Sequence, residues 1–230
     1  MKVSVITPTA DQPRGMWLAE QYMARQTVQP DEWIVADDGQ EHAILSRRQI
    51  HLTLPRVYEG GRSLASNILE ALPEVSGDVV LIWEHDDWYG PNHIETCLRT
   101  LRGFLASGSV SQRYYHVPSR QYAAMTNKGS ALCNTALTAK AMDYLKAAAL
   151  QVLDRGGIGV DRVFWDLLPS GAGNVHREST MVGIKGLPGR TGLGIGHRPR
   201  RSSRRPWQRD EDLSILRRWV GADYLNYVGS

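Results

Sequence analysis

Cysteine and long apolar runs are scarce in this chain, and each scarcity excludes a class of protein. The 230 residues include only Cys97 and Cys133, which are too few for a disulfide framework and do not have the spacing of a cysteine metal site. No apolar run approaches the roughly 20 residues that cross a bilayer. The N-terminal residues lack the apolar core and cleavage site of a signal peptide. We therefore expect a reduced, cytoplasmic protein without a transmembrane segment.

Net charge is also small, but it is unevenly distributed. The formal charge is +3, and six arginines fall between Arg198 and Arg209. Apolar residues make up 42% and charged residues 22%, which is ordinary for a globular domain. This length suits one sizeable core and is short for two domains. We find no internal repeat.

Strand-like and helix-like segments alternate over the first hundred residues. The predicted strands are 3–7, 32–36, 50–57 and 78–83, and helices are predicted after Pro8 and at 43–49, 63–72 and 91–105. Such alternation predicts an α/β fold with a central, mostly parallel sheet and helices on both faces.

The second half of the chain is less regular. Strands are predicted at 110–117, 120–125, 130–137 and 180–184, and helices at 138–150, 160–168 and from a cap at Asp210 to about 220. Residues 185–196 are glycine-rich and predict a flexible loop. We divide the chain into a domain at 1–197, with halves at 1–105 and 106–197, and a flexible basic segment with a C-terminal helix at 198–230.

An acidic group follows the apolar run 79–82. Glu84, Asp86 and Asp87 place three carboxylates within four residues, where ligands bind at the carboxyl end of a strand. Clustered carboxylates repel each other unless a cation lies between them, and a hard divalent ion also takes phosphate oxygens. The alternative is a solvated loop, which rarely follows so apolar a strand. Alternation in an extended segment would point His85 away from Glu84 and Asp86.

This segment resembles the DxD region of family-2 glycosyltransferases with the GT-A fold. Glu84, Asp86, Asp87 and Pro91 match that pattern in order, with Glu84 where Asp is usual. Further matches are residues 3–9 with the opening strand, 34–39 with the V-D-D-G-S segment, and 60–67 with the G-x-x-x-A-R-N segment. The resemblance covers 2–105 well and 130–197 loosely. It implies a single Rossmann-like GT-A domain whose first half binds a nucleotide-diphosphate sugar, commonly UDP-linked, and whose second half is the acceptor side.

The resemblance also implies a donor site. Pro8 and Thr9 would frame the base, and Asp37 or Asp38 would contact uracil or ribose, although Asp-Gly is also a common turn. Arg62, after the Gly60-Gly61 turn, would contact a phosphate. Ser66 stands where the family has Arg. The Gly60-Gly61 turn is equally compatible with a purely structural role. The expected donor-binding residues are Pro8, Thr9, Asp37, Asp38, Arg62, Asn67, Glu84, His85, Lys185 and Arg190.

A divalent ion, Mn²⁺ or Mg²⁺, is the cofactor that the resemblance implies. Its expected ligands are Glu84, Asp86 and His197, a late histidine at the end of the glycine-rich loop. A structural or solvated role for His197 is the alternative, and His85 is the competing ligand.

Asp161 matches the general base of inverting family members, with Val160 where a companion Glu is frequent. The alternative for Asp161 is a helix N-cap, and Asp166 is the second candidate for the base.

The arginine-rich segment is the main clue to the acceptor. Arginine beside an aromatic suits phosphate contact and base stacking, although most charge runs are simply solvated. The proposed acceptor is DNA containing hydroxymethylated pyrimidine, as for phage glycosyltransferases in an infected bacterial cytoplasm; peripheral contact with an anionic membrane is the rival. The expected acceptor-binding residues are Trp88, Arg200, Arg201, Arg204, Arg205 and Trp207.

These observations predict a metal-dependent glycosyltransferase that uses a UDP-sugar. Three alternatives remain open: an enzyme of surface polysaccharide synthesis, a metal-dependent nucleotidyl- or phosphoryl-transferase, and a non-catalytic nucleic-acid-binding module on a degenerate GT-A fold. Oligomeric state is left open.

Overall fold

A computed structural model describes residues 1–40, 49–59, 61–156, 159–189 and 207–228. Most of the helix predicted at 43–49 lies outside these residues. The helices are α1 (Pro13–Ala24), α2 (Gly61–Ala71), α3 (His93–Leu101), α4 (Met142–Arg155), α5 (Val160–Leu167) and α6 (Ser214–Val220). The strands are β1 (Val3–Thr9), β2 (Glu32–Asp37), β3 (Gln49–Thr53), β4 (Val79–Ile82), β5 (Trp88–Tyr89), β6 (Ala106–Ser109), β7 (Ser111–His116), β8 (Gln121–Thr126), β9 (Thr135–Thr138), β10 (Gly173–His176), β11 (Met181–Lys185) and β12 (Gln208–Arg209).

Two sheets form within the described residues. The larger has the order β10-β6-β9-β4-β1-β2-β3, and all its neighbours are parallel except β9, which runs antiparallel to β4 and β6. The smaller has the order β12-β8-β7-β11-β5. The mainly parallel larger sheet confirms the α/β fold class.

The central strands alternate between two hydrophobic layers. Along β1, Val3 and Val5 pack on the layer that contains α1 and α3, whereas Ile6 packs on the layer that contains α2, α4 and α5. This alternation is why strands buried on both faces are almost continuously apolar. Helices therefore cover both faces of the sheet, as predicted.

Strand register brings the acidic segments to one edge of the sheet. Thr9 at the end of β1 pairs with Asp37 at the end of β2. Ile6 pairs with Ile82, the last residue of β4, so the chain after β4 leaves the sheet beside the end of β1. Carboxyl ends of parallel strands share an edge, and ligands bind there in open α/β sheets.

Two strands of the larger sheet were not predicted. β6 begins soon after α3, which stops at Leu101 because Gly103 adopts a positive φ of 83°. The helix predicted to reach residue 105 is therefore too long. β10 also lacks an apolar pattern, and the strand predicted at 130–137 is instead a short 3₁₀ turn, Leu132–Asn134, followed by β9.

Residues 185–196 were predicted to form a flexible loop, but the first of them belongs to a strand. Lys185 is the last residue of β11, and Leu187 is buried. Gly189 lies against the backbone of Asp11, where no side chain would fit. Residues 190–196 lie outside the described part of the chain.

The C-terminal residues close the smaller sheet and cover α1. β12 pairs with β8, and the hydroxyls of Tyr22 and Tyr227 share a hydrogen bond of 2.5 Å. Among the described residues, no helix is long and apolar enough to cross a membrane.

Asp210, predicted to cap the last helix, anchors this segment, although α6 begins at Ser214 and its N-cap position is Leu213. Its buried carboxylate accepts hydrogen bonds from the backbone N–H groups of Ile215, at 3.1 Å, and Leu216, at 2.9 Å. Its own N–H donates to the carbonyl of Arg120, at 2.9 Å, which links α6 to the smaller sheet.

We predict that Asp210→Ala lowers the free energy of unfolding by about 1–3 kcal/mol, because two buried N–H groups lose a charged acceptor. Urea denaturation measures this change. Glu211→Ala, next to it and exposed, is the control and should stay within about 0.5 kcal/mol of wild type. Equal stabilities of the two variants would contradict this role for Asp210.

Candidate functional site

Asp38 is held by two side chains of α2. Ser63 Oγ donates to Asp38 Oδ2 at 2.8 Å, and Asn67 Nδ2 donates to Asp38 Oδ1 at 3.0 Å. Asn67 Nδ2 also lies 3.2 Å from the carbonyl oxygens of Thr9 and Ala36. Asn67, expected to bind donor, is therefore placed as a clamp between the ends of β1 and β2.

Asp37 lies at the carboxyl end of β2 with a different set of contacts. Its Oδ1 accepts the N–H of Gly39 at 2.8 Å, and its Oδ2 lies 3.6 Å from Nε2 of His51 on β3. The structure thus brings Pro8, Thr9, Asp37 and Asp38 to the predicted edge. Sequence reasoning missed Ser63 and His51; the i, i+4 spacing of Ser63 and Asn67 on one helix was the available signal for Ser63.

Arg62, at the start of α2, reaches toward the connection between α4 and α5. A side chain at Gly156 would meet the Arg62 guanidinium at 2.8 Å, and Gly156 has a positive φ of 72°. This close approach places a cation near α5. Gly60, which precedes it, lies outside the described residues.

The acidic segment after β4 is a turn and not an extended strand. The N–H of Asp87 donates to the carbonyl of Glu84 at 3.3 Å, and the N–H of Glu84 donates to Tyr89 Oη at 2.8 Å. The alternation argument for His85 was therefore wrong. Its Nδ1 lies 3.1 Å from the carbonyl oxygen of Pro8, its ring lies against Gly15 of α1, and burial lowers its pKa.

Lys185 lies between two of the carboxylates. Its Nζ is 2.9 Å from Asp86 Oδ2 and 2.7 Å from Asp87 Oδ1. Only 5% of Lys185 and 2% of Asp87 are exposed. Burial by itself would lower the pKa of Lys185, but Asp86, Asp87 and Glu84 raise it well above its usual range. We call Glu84, Asp86, Asp87 and Lys185 the carboxylate–lysine cluster.

Glu84 is the member of this cluster that holds a proton most readily. Burial, reinforced by the charges of Asp87, Asp86 and Asp161, raises its pKa to about 8. Burial also raises the pKa of Asp87 to about 7, against the attraction of Lys185. Asp86 and Asp87 each have an ammonium hydrogen bond, and the described contacts give Glu84 none to a cation. We therefore place the proton on Glu84.

The expected metal ligands are only partly assembled among the described residues. Ligand atoms of Glu84, Asp87 and Cys133 lie within 4.8 Å of one another, the one such group in the described ranges. Burial raises the pKa of the Cys133 thiol well above its usual value, and Mn²⁺ and Mg²⁺ prefer oxygen ligands. Asp86 faces Lys185, and His197 lies outside the described residues. The described residues therefore do not fit a hard divalent ion.

Asp161 lies in the first turn of α5. The N-cap position is Gly159, with φ of 117° and no side-chain cap, so the capping alternative for Asp161 is wrong. Burial raises the pKa of Asp161, and its charge in turn raises that of Glu84, so the two carboxyl groups lie within electrostatic range of each other. Asp166 is exposed and lies 3.7 Å from Arg162.

The aromatic residues expected at the acceptor have contacts within the protein or are half-buried. Trp88 Nε1 donates to Asp223 Oδ2 at 2.6 Å, and its ring contacts Tyr22 of α1 and Arg25, which follows that helix. Trp207 is half-buried just before β12. Contact of either with an acceptor stays a prediction. Arg190, His197, Arg200, Arg201, Arg204 and Arg205 lie outside the described residues.

Three solved transferase structures have a fold similar to that of this chain. The mannosyltransferase PcManGT from Pyrobaculum calidifontis, in complex with GDP-Man and Mn²⁺, has a TM-score of 0.54 at 14% identity over 81% of this chain and 57% of that one. S. aureus TarS 1-349 has a TM-score of 0.52 at 13% identity over 80% of this chain and 60% of that one. The 2-C-methyl-D-erythritol 4-phosphate cytidylyltransferase from Thermus thermophilus has a TM-score of 0.52 at 14% identity over 78% of this chain and 90% of that one.

These likenesses show the fold, and this chain spans less than two thirds of the PcManGT and TarS chains. A search of curated proteins finds no match. The family model for glycosyl transferase family 2 matches residues 4–149, more than half of the sequence. Its match covers β1, β2, β4 and the acidic turn, which carry the candidate site. The chain therefore belongs to glycosyl transferase family 2, with the GT-A fold.

Proposed function

We propose that this chain transfers a sugar from a nucleotide-diphosphate sugar to an acceptor hydroxyl. The observation that carries the proposal is that the candidate site residues of this family-2 chain meet at one edge of the larger sheet. Asp37 and Asp38 lie there at the end of β2, the acidic turn lies after β4, and Asp161 is within electrostatic range of Glu84.

The nucleotide is proposed to bind at the ends of β1 and β2. A carboxylate at this position can accept a hydrogen bond from a base N–H or a ribose hydroxyl. Asp37, at the end of β2, and Asp38, held by α2, are both candidates for that contact. UDP is the proposed nucleotide, from the resemblance of residues 34–39. GDP is the alternative, since PcManGT contains GDP-Man.

The diphosphate is proposed to lie beside the carboxylate–lysine cluster. Three ionised carboxylates would repel it, so the site needs compensation. Lys185 supplies one positive charge, and a proton on Glu84 removes one negative charge. Arg62, which lies against Gly156, is the proposed second cation.

The proposed chemistry assigns the proton of the acceptor to Asp161. Its carboxylate would take the hydroxyl proton while the acceptor oxygen forms its bond to the anomeric carbon. The bond from that carbon to the diphosphate oxygen breaks, and the nucleoside diphosphate leaves. Attack opposite the leaving group inverts the anomeric configuration.

A divalent metal is common among GT-A glycosyltransferases, and PcManGT contains Mn²⁺. Such an ion would neutralise the leaving diphosphate. In this chain Glu84 and Asp86 are the described residues expected to hold Mn²⁺ or Mg²⁺, but Asp86 already binds Lys185.

The acceptor is proposed to be hydroxymethylated pyrimidine in DNA. Four arginines at 200, 201, 204 and 205 beside Trp207 carry that proposal, because guanidinium groups bind phosphates and an indole stacks on bases. A saccharide or an anionic membrane surface is the alternative acceptor environment, as in polysaccharide synthesis.

Nucleotidyl transfer is the second candidate, because the fold is also similar to that of a cytidylyltransferase. The two reactions differ in their products. A glycosyltransferase releases nucleoside diphosphate from UDP-glucose or GDP-mannose, whereas a nucleotidyltransferase releases pyrophosphate from CTP or UTP and a sugar phosphate. Phosphorus NMR of both incubations separates them, and release of neither product would contradict both.

We predict that Asp161→Asn lowers kcat by on the order of 100-fold or more, because the amide cannot accept the hydroxyl proton. Nucleotide affinity by calorimetry should change little. Asp166→Asn, on the same helix but exposed, is the matched control and should keep wild-type kcat. Lost nucleotide binding with unchanged turnover at saturation would make Asp161 a binding residue instead.

We predict that Glu84 contributes a decrease in the free energy of unfolding as pH rises from 5 to 8. The pKa of Glu84 rises from an ordinary 4.5 to about 8 on folding, so the folded state binds this proton more tightly than the unfolded state. That stability is present below the unfolded pKa and is lost as pH rises toward the folded one. Glu84→Gln lacks this contribution, so its change in free energy of unfolding from pH 5 to pH 8 should be more positive than that of wild type by on the order of 1 kcal/mol or more.

Urea denaturation at both pH values measures this difference. Glu70→Gln, exposed on α2, should leave the pH dependence as in wild type. A Glu84→Gln variant with the full wild-type pH dependence would place the proton elsewhere.

We predict that replacing Arg200, Arg201, Arg204 and Arg205 with Ala weakens DNA binding and flattens its salt dependence. Each lost phosphate contact removes about one unit of log–log slope. A quadruple control replaces exposed arginines elsewhere: Arg102, Arg155, Arg177 and Arg218. Equal losses of DNA affinity in the two quadruple variants would indicate that DNA is attracted by the overall positive charge and not by this segment. No wild-type binding to, or glycosylation of, hydroxymethylated DNA would exclude a DNA acceptor.

A further inference from the structure

The ammonium of Lys185 lies in the gap between two carboxylates after β4. Its distances of 2.9 Å to Asp86 Oδ2 and 2.7 Å to Asp87 Oδ1 are those of charge-assisted hydrogen bonds. The side chain of Lys185 is 6% exposed, and those of Asp86 and Asp87 are 13% and 1% exposed. A cation is therefore already present among the carboxylates expected to hold a metal.

The backbone fixes where this ammonium sits. Lys185 ends β11, which pairs in parallel with β7, so that Lys185 lies opposite His116. The other end of β11 pairs with β5, which directly follows the acidic turn. Lys185 thus lies on a strand, and the turn that carries Asp86 and Asp87 leads directly into a strand of the same sheet. Side chains on strands are held more precisely than side chains on loops.

A divalent ion on Asp86 and Asp87 would have to share this space with the ammonium. Two cations a few ångströms apart in a site of low exposure repel each other strongly. Displacing Lys185 instead would leave a buried charge without its partners, which is costly. The group of possible metal ligands found among the described residues is Glu84, Asp87 and Cys133. Its third member offers a buried thiol and not the oxygen ligand that Mn²⁺ or Mg²⁺ prefers.

We propose that Lys185 supplies the cation of the donor site, so that this chain binds its nucleotide-diphosphate donor without a divalent metal ion. An ammonium has three N–H donors, and the described contacts use two of them. The third donates to a diphosphate oxygen when the donor binds. The inference rests on the proposed function, because it assigns a diphosphate to this site.

Calorimetric titration with UDP, GDP and CDP tests the inference in the full chain. We expect at least one nucleotide to bind wild type in EDTA with a Kd within about three-fold of that in Mn²⁺, a difference of under 1 kcal/mol. Binding only in Mn²⁺ or Mg²⁺ would overturn the inference but support the proposed function. Binding of no nucleotide under any condition would overturn both.

Lys185→Met tests the residue itself. The variant should lose on the order of 10-fold or more in nucleotide affinity in EDTA, because a charged hydrogen bond is lost. Added Mn²⁺ should restore part of that affinity, since the vacated gap is lined by Asp86 and Asp87. Lys146→Met, which removes an exposed lysine on α4, should behave as wild type in both buffers.

Thermal unfolding with Mn²⁺ alone provides a readout that needs no donor. Mn²⁺ should raise the Tm of Lys185→Met and leave that of wild type unchanged, because only the variant has room for the ion. If Lys185→Met does not fold, the double variant Lys185→Met/Asp87→Asn removes one uncompensated charge and is tested in its place. An equal Mn²⁺-induced rise of Tm in wild type and in the variant that is tested would overturn the inference.

Discussion

The ion pairs of Lys185 with Asp86 and Asp87 are the interaction on which this site depends. Without the ammonium, three carboxylates would face one another at low exposure, and an anionic donor could not approach them. Buried ion pairs contribute little net stability, because desolvation offsets most of the attraction. Their presence here is better explained by what they offer a ligand, which is a fixed positive charge at the end of a parallel strand.

The rest of the fold serves to bring that charge to the right edge. β1, β2 and β4 end side by side, and Asn67 ties the ends of β1 and β2 together. β11 approaches the same edge from the smaller sheet, and the turn between β4 and β5 closes the space between them. Asp161 is carried in from the second half of the chain by α5. A nucleotide on the first half and an acceptor over the second would therefore meet at the cluster.

Local pattern was sufficient for much of this architecture. The apolar runs of β1, β2 and β4 are buried on both faces, so their composition identifies them, and the acidic residues at their ends marked the edge. β6 and β10 could not be found in this way. Their residues are small or polar, and they become strands only because β9 and β6 provide partners.

The same limit applies to the site. Asp86 and Lys185 are 99 positions apart, and no local pattern indicates that they touch. Lys185 was expected on a mobile loop because glycines follow it, whereas pairing with β7 makes it the end of a strand. The direction of the His85 side chain was predicted from an alternation that holds only in an extended strand, whereas this segment forms a turn. Long-range contacts, and not composition, decided each of these cases.

A crystal structure of the full chain grown with UDP and Mn²⁺ tests the central claim most directly, because anomalous scattering at the manganese edge locates the metal without ambiguity. We expect Lys185 Nζ to remain between Asp86 and Asp87, within hydrogen-bond distance of a diphosphate oxygen, with no anomalous peak at the cluster. A manganese peak on Asp86, with Lys185 moved away from both carboxylates, would contradict that claim.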